Sequence, residues 1–329
     1  MRAVAIINGN ARRLRGKARK QFERALPGEV RFTSSLDQAR EVIRAEIARG
    51  RDLIVLGGGD GTVVMGLTLV AEACRGLAKP EPAIGVLRLG TGNAIADAVG
   101  ATDDPADDLA RLARGEGTWQ PTPMLEVLGF RTPFVGMGID ALVLEDHEAT
   151  SRVVDRFPGA KRLIGSGARY TLSVGLRSIP RFATVDRSIA TVTNLGSPGI
   201  EMGKQGVTGR EIPRDKMLWT GPCTLVAAST IPYFGFGLKM FAFAGSHAGR
   251  FHLRCGSPGV LEVLRNVPRA FKGTYFSDHI QDFLCDRVEI ELDPESPVEV
   301  GGELVGRRRR IEVALTAPVN LASLANHPR

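Results

Sequence analysis

The stretch Leu53-Ile-Val-Leu-Gly-Gly-Gly-Asp-Gly-Thr62 decides the fold of this chain, because an apolar run ends in glycines that enclose one carboxylate and one hydroxyl. Leu53 to Leu56 show no polar alternation, which predicts a buried parallel strand. Residues 62 to 74 have apolar positions at helical spacing. A strand, a glycine turn and a helix N-terminus direct backbone N–H groups at one place, and this arrangement favours an anion such as phosphate.

Asp60 lies among these amides and would repel a phosphate unless a cation stood between them. Its position therefore suggests Mg²⁺ or a role in proton transfer. A tight connection between strand and helix is the alternative for a single glycine turn. The spacing fits neither the P-loop pattern nor the dinucleotide fingerprint.

Composition sets limits on the class of protein. A chain of 329 residues with 43% hydrophobic and 24% charged residues predicts two globular domains. The excess of 43 Lys and Arg over 36 Asp and Glu suits an acidic partner, whether nucleic acid, nucleotide or an anionic membrane. The four cysteines form no CxxC pair and are predicted to be buried thiols in a reducing compartment. No signal peptide and no apolar run near 20 residues is evident, so any membrane contact is predicted to be peripheral.

A second glycine turn, Leu89-Gly-Thr-Gly-Asn93, follows the buried strand Ala83 to Leu87 and precedes a helix from Ala94 to Val99. Carboxyl ends of neighbouring parallel strands meet at one edge of a sheet, so the two turns should lie side by side. Two further strands are predicted before residue 120, at 3–7 and 29–33, and two further helices, at 35–49 and 105–114. Ser34 or Ser35 is predicted to cap the helix at 35–49. The basic residues between 12 and 20 are mostly predicted to form a solvated helix.

The sequence pattern changes near residue 120. Beyond it, predicted strands rich in Val, Ile, Thr and Phe are separated by Gly and Pro. The fold class is therefore α/β plus β: a doubly wound parallel-sheet domain over 1–120, with the C-terminal residues available to pack back onto it, and a mostly antiparallel β-rich domain over 121–329. Helices in the second domain are predicted at 165–176 and 259–269.

The segment Gly57 to Thr62 resembles the GGDGT signature of the diacylglycerol kinase catalytic family, whose superfamily includes sphingosine kinases, NAD kinases and phosphofructokinases. The second turn resembles the family's LPxGTxN motif, with Arg88 where proline is usual. Ala94 stands where diacylglycerol kinases commonly have Asp, and Asn-Ala is closer to the GSGNA turn of sphingosine kinases. The resemblance implies a nucleotide domain and a lipid domain with the active site between them.

The same resemblance implies roles for particular residues. Asp140 matches the Asp of a Gly-Phe-Asp-Ala segment that faces the lipid, and Glu303 matches the base of an Asp-Gly-Glu motif in which Gly301 replaces the Asp. Asp60 is implied to act in catalysis and to hold Mg²⁺ with the nucleotide. The nucleotide-binding residues implied are Asn8, Thr33, Gly57, Gly58, Gly59, Asp60, Gly61, Thr62, Gly90, Thr91 and Asn93.

Two further stretches carry expectations. In the family a segment with two Asp residues holds a structural Mg²⁺, whereas His247 and Ala248 stand in their place here, so that structural metal is expected to be absent. Arg307 to Arg310 are expected on an exposed loop, in contact with phosphate, anionic lipid or only solvent.

The resemblance implies a cytoplasmic, ATP-dependent lipid kinase that uses Mg²⁺ and attaches peripherally to the inner face of the membrane. Diacylglycerol is the favoured substrate, with a sphingoid base as the alternative; the oligomeric state stays open, a homodimer included. A catalytically silent lipid-binding relative is the non-enzyme alternative, because several family carboxylates are missing. NAD kinase shares the first glycine turn but not the second, and a nucleic-acid binder would need more than 6% aromatic residues with a basic stripe.

Overall fold

The computed structural model describes residues 1–11, 14, 18–138, 141 and 188–325. The chain divides into two compact units. Unit 1 consists of Met1–Pro133, Tyr233–Leu238 and Thr316–Arg329, and unit 2 of Phe134–Pro232 and Lys239–Leu315. Arg131, which lies shortly before the end of the first segment of unit 1, is bound within that unit. Its guanidinium donates to Glu81 and to the carbonyl oxygen of Ala317, and its backbone N–H donates to Thr68.

Unit 1 is built on a parallel sheet in the order β2-β1-β3-β4, to which the C-terminal part of β16 adds in parallel at Leu321. Its elements are β1 Ala3–Asn8, α1 Ala18–Ala25, β2 Val30–Thr33, α2 Leu36–Ala48, β3 Leu53–Gly58, α3 Asp60–Leu77, β4 Ala83–Arg88, α4 Ala94–Ala98, α5 Pro105–Arg114, β5 Thr118–Val127 and β6 Phe130–Thr132.

Helices cover both faces of this sheet, as the doubly wound prediction requires. On one face a Cβ at Gly85 would lie 2.9 Å from a methyl group of Leu112 in α5, and Phe22 of α1 joins the same core. On the other face a Cβ at Gly66 in α3 would lie 2.7 Å from Leu56. Both close approaches need glycine, because interiors are packed without room for an extra carbon.

Unit 2 is an antiparallel structure in the strand order β10-β9-β14-β13-β12-β7-β15-β16, with β8 pairing both β15 and β11. The predicted β-rich character is confirmed. The helix predicted over 165–176 lies outside the described residues. The elements are β7 Phe134–Gly138, β8 Ile189–Asn194, β9 Gly199–Gly203, β10 Gly206–Ile212, β11 Met217–Pro222, β12 Leu225–Ser229, β13 Phe251–Gly256, α6 Val260–Lys272, β14 Ile280–Cys285, β15 Arg287–Val300 and β16 Glu303–Ser323.

The four consecutive arginines lie within strand β16, so the expectation of an exposed loop is wrong. Pairing with β15 brings three of them to carboxylates: Arg307 to Glu295, Arg309 to Asp293 and Arg310 to Glu289. Opposite charges that face each other across two paired strands stabilise the pairing, which explains why so basic a run forms a strand.

Two other expectations from composition can be compared with the structure. All four cysteines are free and buried, as predicted. Among the helices of the described ranges, none combines the length and the apolar character needed to cross a bilayer.

A buried ionic cluster stabilises the interior of unit 2. Arg254 donates from Nε to Asp282 at 2.7 Å and from Nη2 at 3.0 Å, and the Nε2–H of His252 donates to the same carboxylate at 2.8 Å. All three side chains are buried. Burial alone would raise the pKa of Asp282, but the charge of Arg254 and the hydrogen bonds outweigh it and lower the pKa to about 2.

Removing this carboxylate should be costly, because Asp282→Asn leaves the Arg254 guanidinium buried without a counter-charge. We expect a loss of about 3–5 kcal/mol in the free energy of unfolding, measured by urea denaturation. The control Asp293→Asn, at an exposed pair with Arg309, should change little.

The same variant should also change acid stability. The folded pKa of Asp282 is depressed, so its stabilisation is present above the unfolded value of about 3.9 and is lost as pH falls towards about 2. Asp282→Asn should remove that part of the acid dependence. Equal urea midpoints for Asp282→Asn and Asp293→Asn would contradict the role given to this cluster.

Candidate functional site

The carboxyl ends of four parallel strands form one edge of unit 1. The register pairs Asn8 with Thr33, Ile7 with Gly57, and Gly58 with Arg88, so β1 to β4 end at the same level. The backbone N–H of Gly9 donates to the carbonyl oxygen of Thr33 at 2.7 Å. The unit 1 residues predicted to bind nucleotide lie at this edge or directly after it.

The two glycine turns are in contact, as the sequence predicts. The N–H of Leu89 donates to the carbonyl oxygen of Gly58 at 3.2 Å. A Cβ at Gly90 would lie 2.3 Å from the Cα of Gly59, a distance that no side chain tolerates. The glycines are therefore required first for backbone-to-backbone packing, and this packing brings the N-termini of α3 and α4 together.

Asp60 joins the first turn to α4. Its two carboxylate oxygens accept hydrogen bonds from the N–H groups of Ala94 and Ile95, each at 3.0 Å. Burial raises the pKa of Asp60 and the charge of Asp97 adds to this, while hydrogen bonds from the backbone of Ile95, Ala94 and Asn93 oppose it. The carboxylate of Asp60 therefore holds the start of α4 in position. The sequence motif alone did not reveal these hydrogen bonds.

Two asparagine side chains hold the turns in shape. Asn8 donates from Nδ2 to the hydroxyl of Thr62 at 3.1 Å. Asn93 has a left-handed backbone with φ of 55°, and its amide both accepts from the N–H of Gly90 and donates to its carbonyl oxygen, each at 2.9 Å. The side chain of Thr91 stays exposed between them.

The segment Tyr233–Leu238 belongs to unit 1 and reaches the second glycine turn, which sequence reasoning did not anticipate. The N–H of Phe236 donates to the carbonyl oxygen of Gly92 at 2.9 Å, and Gly235, Phe236 and Gly237 all have positive φ. The closely spaced glycines at 235 and 237 indicated a turn. Nothing in the local sequence indicated that this turn contacts Gly92, which lies far away along the chain.

Arg19 is a second residue that the sequence did not single out. Its guanidinium lies 4.7 Å from the centre of the Phe32 ring, and its Nη2 would be 3.3 Å from a Cβ at Gly9. Stacking on an aromatic ring fixes the direction of a side chain that is otherwise flexible. The carboxyl edge of β1 and β2 therefore carries a positive charge next to Gly9, in the turn that follows β1.

Glu303 is described within unit 2. It follows a two-residue turn in which Gly301 and Gly302 have positive φ, and its backbone pairs with Val300 across the hairpin. Its side chain is exposed. The neighbouring Glu299, which the sequence analysis overlooked, is buried and accepts a hydrogen bond from the N–H of Gly302. Asp140 lies outside the described residues.

The family resemblance implies a metal ion next to Asp60, and the carboxylate of Asp60 is a suitable ligand for it. The carboxylate oxygens of Asp60 accept from backbone N–H groups, and a carboxylate oxygen has more than one acceptor site. Mg²⁺ is commonly held by one or two carboxylates together with substrate phosphates. Within the ranges that the structure describes, no group of three or more His, Cys, Asp or Glu side chains is arranged to hold a metal.

Comparisons with known proteins agree with the motifs. Residues 2–121 match the sequence model of the diacylglycerol kinase catalytic domain. Over 84 residues the chain is 42% identical to a "Probable lipid kinase YegS-like" of Pseudomonas putida, covering 26% of this chain and 27% of that protein. A protein of the same name from Pseudomonas aeruginosa is 40% identical over 101 residues, or 30% of each chain. The matches thus span less than a third of these relatives.

A solved structure extends the likeness to the whole chain. The crystal structure of a diacylglycerol kinase from Bacillus anthracis str. Sterne superposes with a TM-score of 0.63 at 15% identity, over 98% of this chain and 96% of that one. A match at this level of identity concerns the fold, and it confirms the predicted fold class.

The close contact between the turns can be tested by Gly90→Ala. The new Cβ would have to displace the backbone of Gly59, and we expect a loss of about 1–3 kcal/mol in the free energy of unfolding. The control Gly76→Ala, in an exposed turn of α3 with nothing within 4 Å of the new carbon, should instead gain about 0.5–1 kcal/mol. If both variants unfold at the same denaturant concentration, the turns do not constrain each other.

Proposed function

We propose that this chain, whose residues 2–121 match the diacylglycerol kinase catalytic domain, is an ATP-dependent kinase that phosphorylates the hydroxyl of a membrane lipid, diacylglycerol in the first place. The observation that carries the proposal is the pair of glycine turns joined through Asp60 at the carboxyl edge of the parallel sheet. Ligands of open α/β sheets bind at this edge.

The nucleotide phosphates would lie over the first turn. Helix α3 begins at Asp60 with no side-chain cap on Gly59, so its first N–H groups are available to an anion and carry the positive end of the helix dipole. Arg19, fixed on Phe32 at the same edge, would add a positive charge. Gly57 and Gly58 serve packing within the turn, because a Cβ at these positions would meet the side chains of Ile7 and Thr62.

The position of Asp60 supports the use of Mg²⁺ with ATP. A bound Mg²⁺ would offset the charge of the phosphates beside this carboxylate, which is its general contribution to phosphoryl transfer. Asp60 itself would keep α4 and the second turn in register with the first. This dual position explains why a carboxylate is compatible with a phosphate site.

Phosphoryl transfer to an alcohol needs a group that accepts the hydroxyl proton. We assign this role to Glu303, because it is exposed on a rigid hairpin and matches the family's base. Gly301 replaces the neighbouring Asp of the family motif, so position 301 supplies no second carboxylate. Asp140 would face the lipid.

A sphingoid base is the second candidate substrate. Ala94 is fully buried at the start of α4, next to the carboxylate of Asp60. An Asp at position 94, common in diacylglycerol kinases, would place a second carboxylate in that buried position. Its replacement by Ala favours the sphingosine-kinase form of the turn.

The proposal is tested by incubating the protein with labelled ATP and a lipid extract, then resolving labelled lipids by head group. We expect label in phosphatidic acid and none in NADP when NAD is supplied instead. Glu303→Gln should lower kcat by about 10²–10⁴-fold with little change in KM for ATP. The control Glu295→Gln, exposed on the neighbouring strand, should be fully active.

Different outcomes separate the alternatives. Label in a long-chain base phosphate would identify the second candidate substrate, and label in NADP would identify an NAD kinase. A wild-type protein that binds lipid but labels nothing would be the silent relative. A Glu303→Gln variant with normal kcat would remove Glu303 from the mechanism.

Asp60→Asn should abolish turnover and also weaken the fold. The amide offers one acceptor oxygen, so either Ala94 or Ile95 would lose its partner, at a cost of about 1–3 kcal/mol. The exposed Asp37→Asn serves as the control for activity and for the unfolding midpoint. Wild-type rates in Asp60→Asn would exclude this carboxylate from phosphoryl transfer.

A further inference from the structure

Helix α6, Val260–Lys272, is anchored to unit 2 along one line of side chains. Glu262 accepts hydrogen bonds from Tyr275 at 3.2 Å and from His279 at 2.8 Å. Ala270, two helical turns further on, is buried, and its carbonyl oxygen accepts from the N–H of Lys239. Residues spaced by four lie on one face of a helix, so the inner face of α6 is defined.

The opposite side of the helix exposes a row of large apolar residues. Leu261 is 66% exposed, Leu264 47%, Val267 37% and Phe271 48%. Their spacing of three and four residues places them in one stripe along the helix. Four exposed side chains of this size in 11 residues form a continuous apolar patch, which is typical of a binding surface.

A basic row runs beside this stripe. Arg265, Arg269 and Lys272 are exposed and lie at helical spacing between the apolar stripe and the anchored face. On this exposed side no acidic residue of α6 intervenes, since its one carboxylate, Glu262, is held on the inner face. We define the outer face of α6 as these four apolar and three basic residues.

We infer that the outer face of α6 is the surface by which this protein docks onto an anionic lipid bilayer. An apolar stripe bordered by Lys and Arg is the pattern of a helix that lies in the membrane interface, with its apolar side chains about 5–10 Å deep and its cations among the head groups. The net charge of +7 is compatible with an anionic surface. The inference rests on the proposed function, since a lipid kinase must reach a hydroxyl at the membrane surface.

The test measures sedimentation of the full-length protein with vesicles, without ATP, so that it is independent of kinase activity. The wild type should bind vesicles containing phosphatidylglycerol more strongly than vesicles of phosphatidylcholine alone, and salt should weaken this binding. Arg265→Gln/Arg269→Gln/Lys272→Gln should reduce partitioning by about fivefold per residue, on the order of a hundredfold in total. Leu264→Ser/Phe271→Ser should reduce it by at least about tenfold.

Matched controls come from elsewhere in unit 2. Val207→Ser/Met217→Ser removes two equally exposed apolar residues, and Lys204→Gln/Arg214→Gln removes two exposed cations. Both should bind vesicles like the wild type.

The α6 variants should also keep wild-type activity towards a short-chain, water-soluble diacylglycerol. A wild type inactive towards every lipid would overturn the proposed function, while vesicle binding would still decide the role of α6.

Three outcomes would overturn the inference. The first is vesicle binding that the α6 variants leave unchanged. The second is a wild-type dimer that Leu264→Ser/Phe271→Ser converts to a monomer in sedimentation velocity, because the face would then join two copies of the chain. The third is equal binding of the wild type to phosphatidylglycerol and phosphatidylcholine vesicles at low salt, because the basic residues of the outer face would then contribute nothing.

Discussion

The contact between the backbones of Gly59 and Gly90 is the constraint on which the candidate site depends. Two parallel strands end at the same level, and their turns approach until there is no room for a Cβ between them. This approach brings the start of α4 within reach of Asp60, whose carboxylate then satisfies two N–H groups that a helix cannot satisfy itself. The geometry of both turns thus follows from one close contact.

Charge explains why the site needs this rigidity. A carboxylate that is removed from water resists ionisation, and the pKa of Asp60 is raised accordingly, although backbone hydrogen bonds oppose the effect. The charge of Asp97 adds to this rise, and Asp97 itself forms an ion pair with Arg88. Arg88 stands where the related motif has proline, and its guanidinium also donates to the carbonyl oxygen of Ala101. The replacement therefore stabilises the helix that Asp60 caps.

Unit 2 uses charge differently. Arg254 and Asp282 are buried together with His252, and the carboxylate of Asp282 accepts hydrogen bonds from both of the other side chains. The arginines of β16 are offset by carboxylates on β15. In α6, three basic residues border a stripe of four exposed apolar side chains, and a stripe of this kind is typical of an interfacial helix.

Local patterns in the sequence determined the parallel strands, the two glycine turns, the Ser35 cap of α2 and the antiparallel character of the second unit, because each depends on neighbouring residues and on hydrophobic period. The sequence also identified the residues at the carboxyl edge through their motifs. It could not reveal the bonds from Asp60 to α4, the contact of Phe236 with Gly92, or the strand that contains the four arginines. Those depend on partners far apart in the chain, and only the tertiary structure brings such partners together.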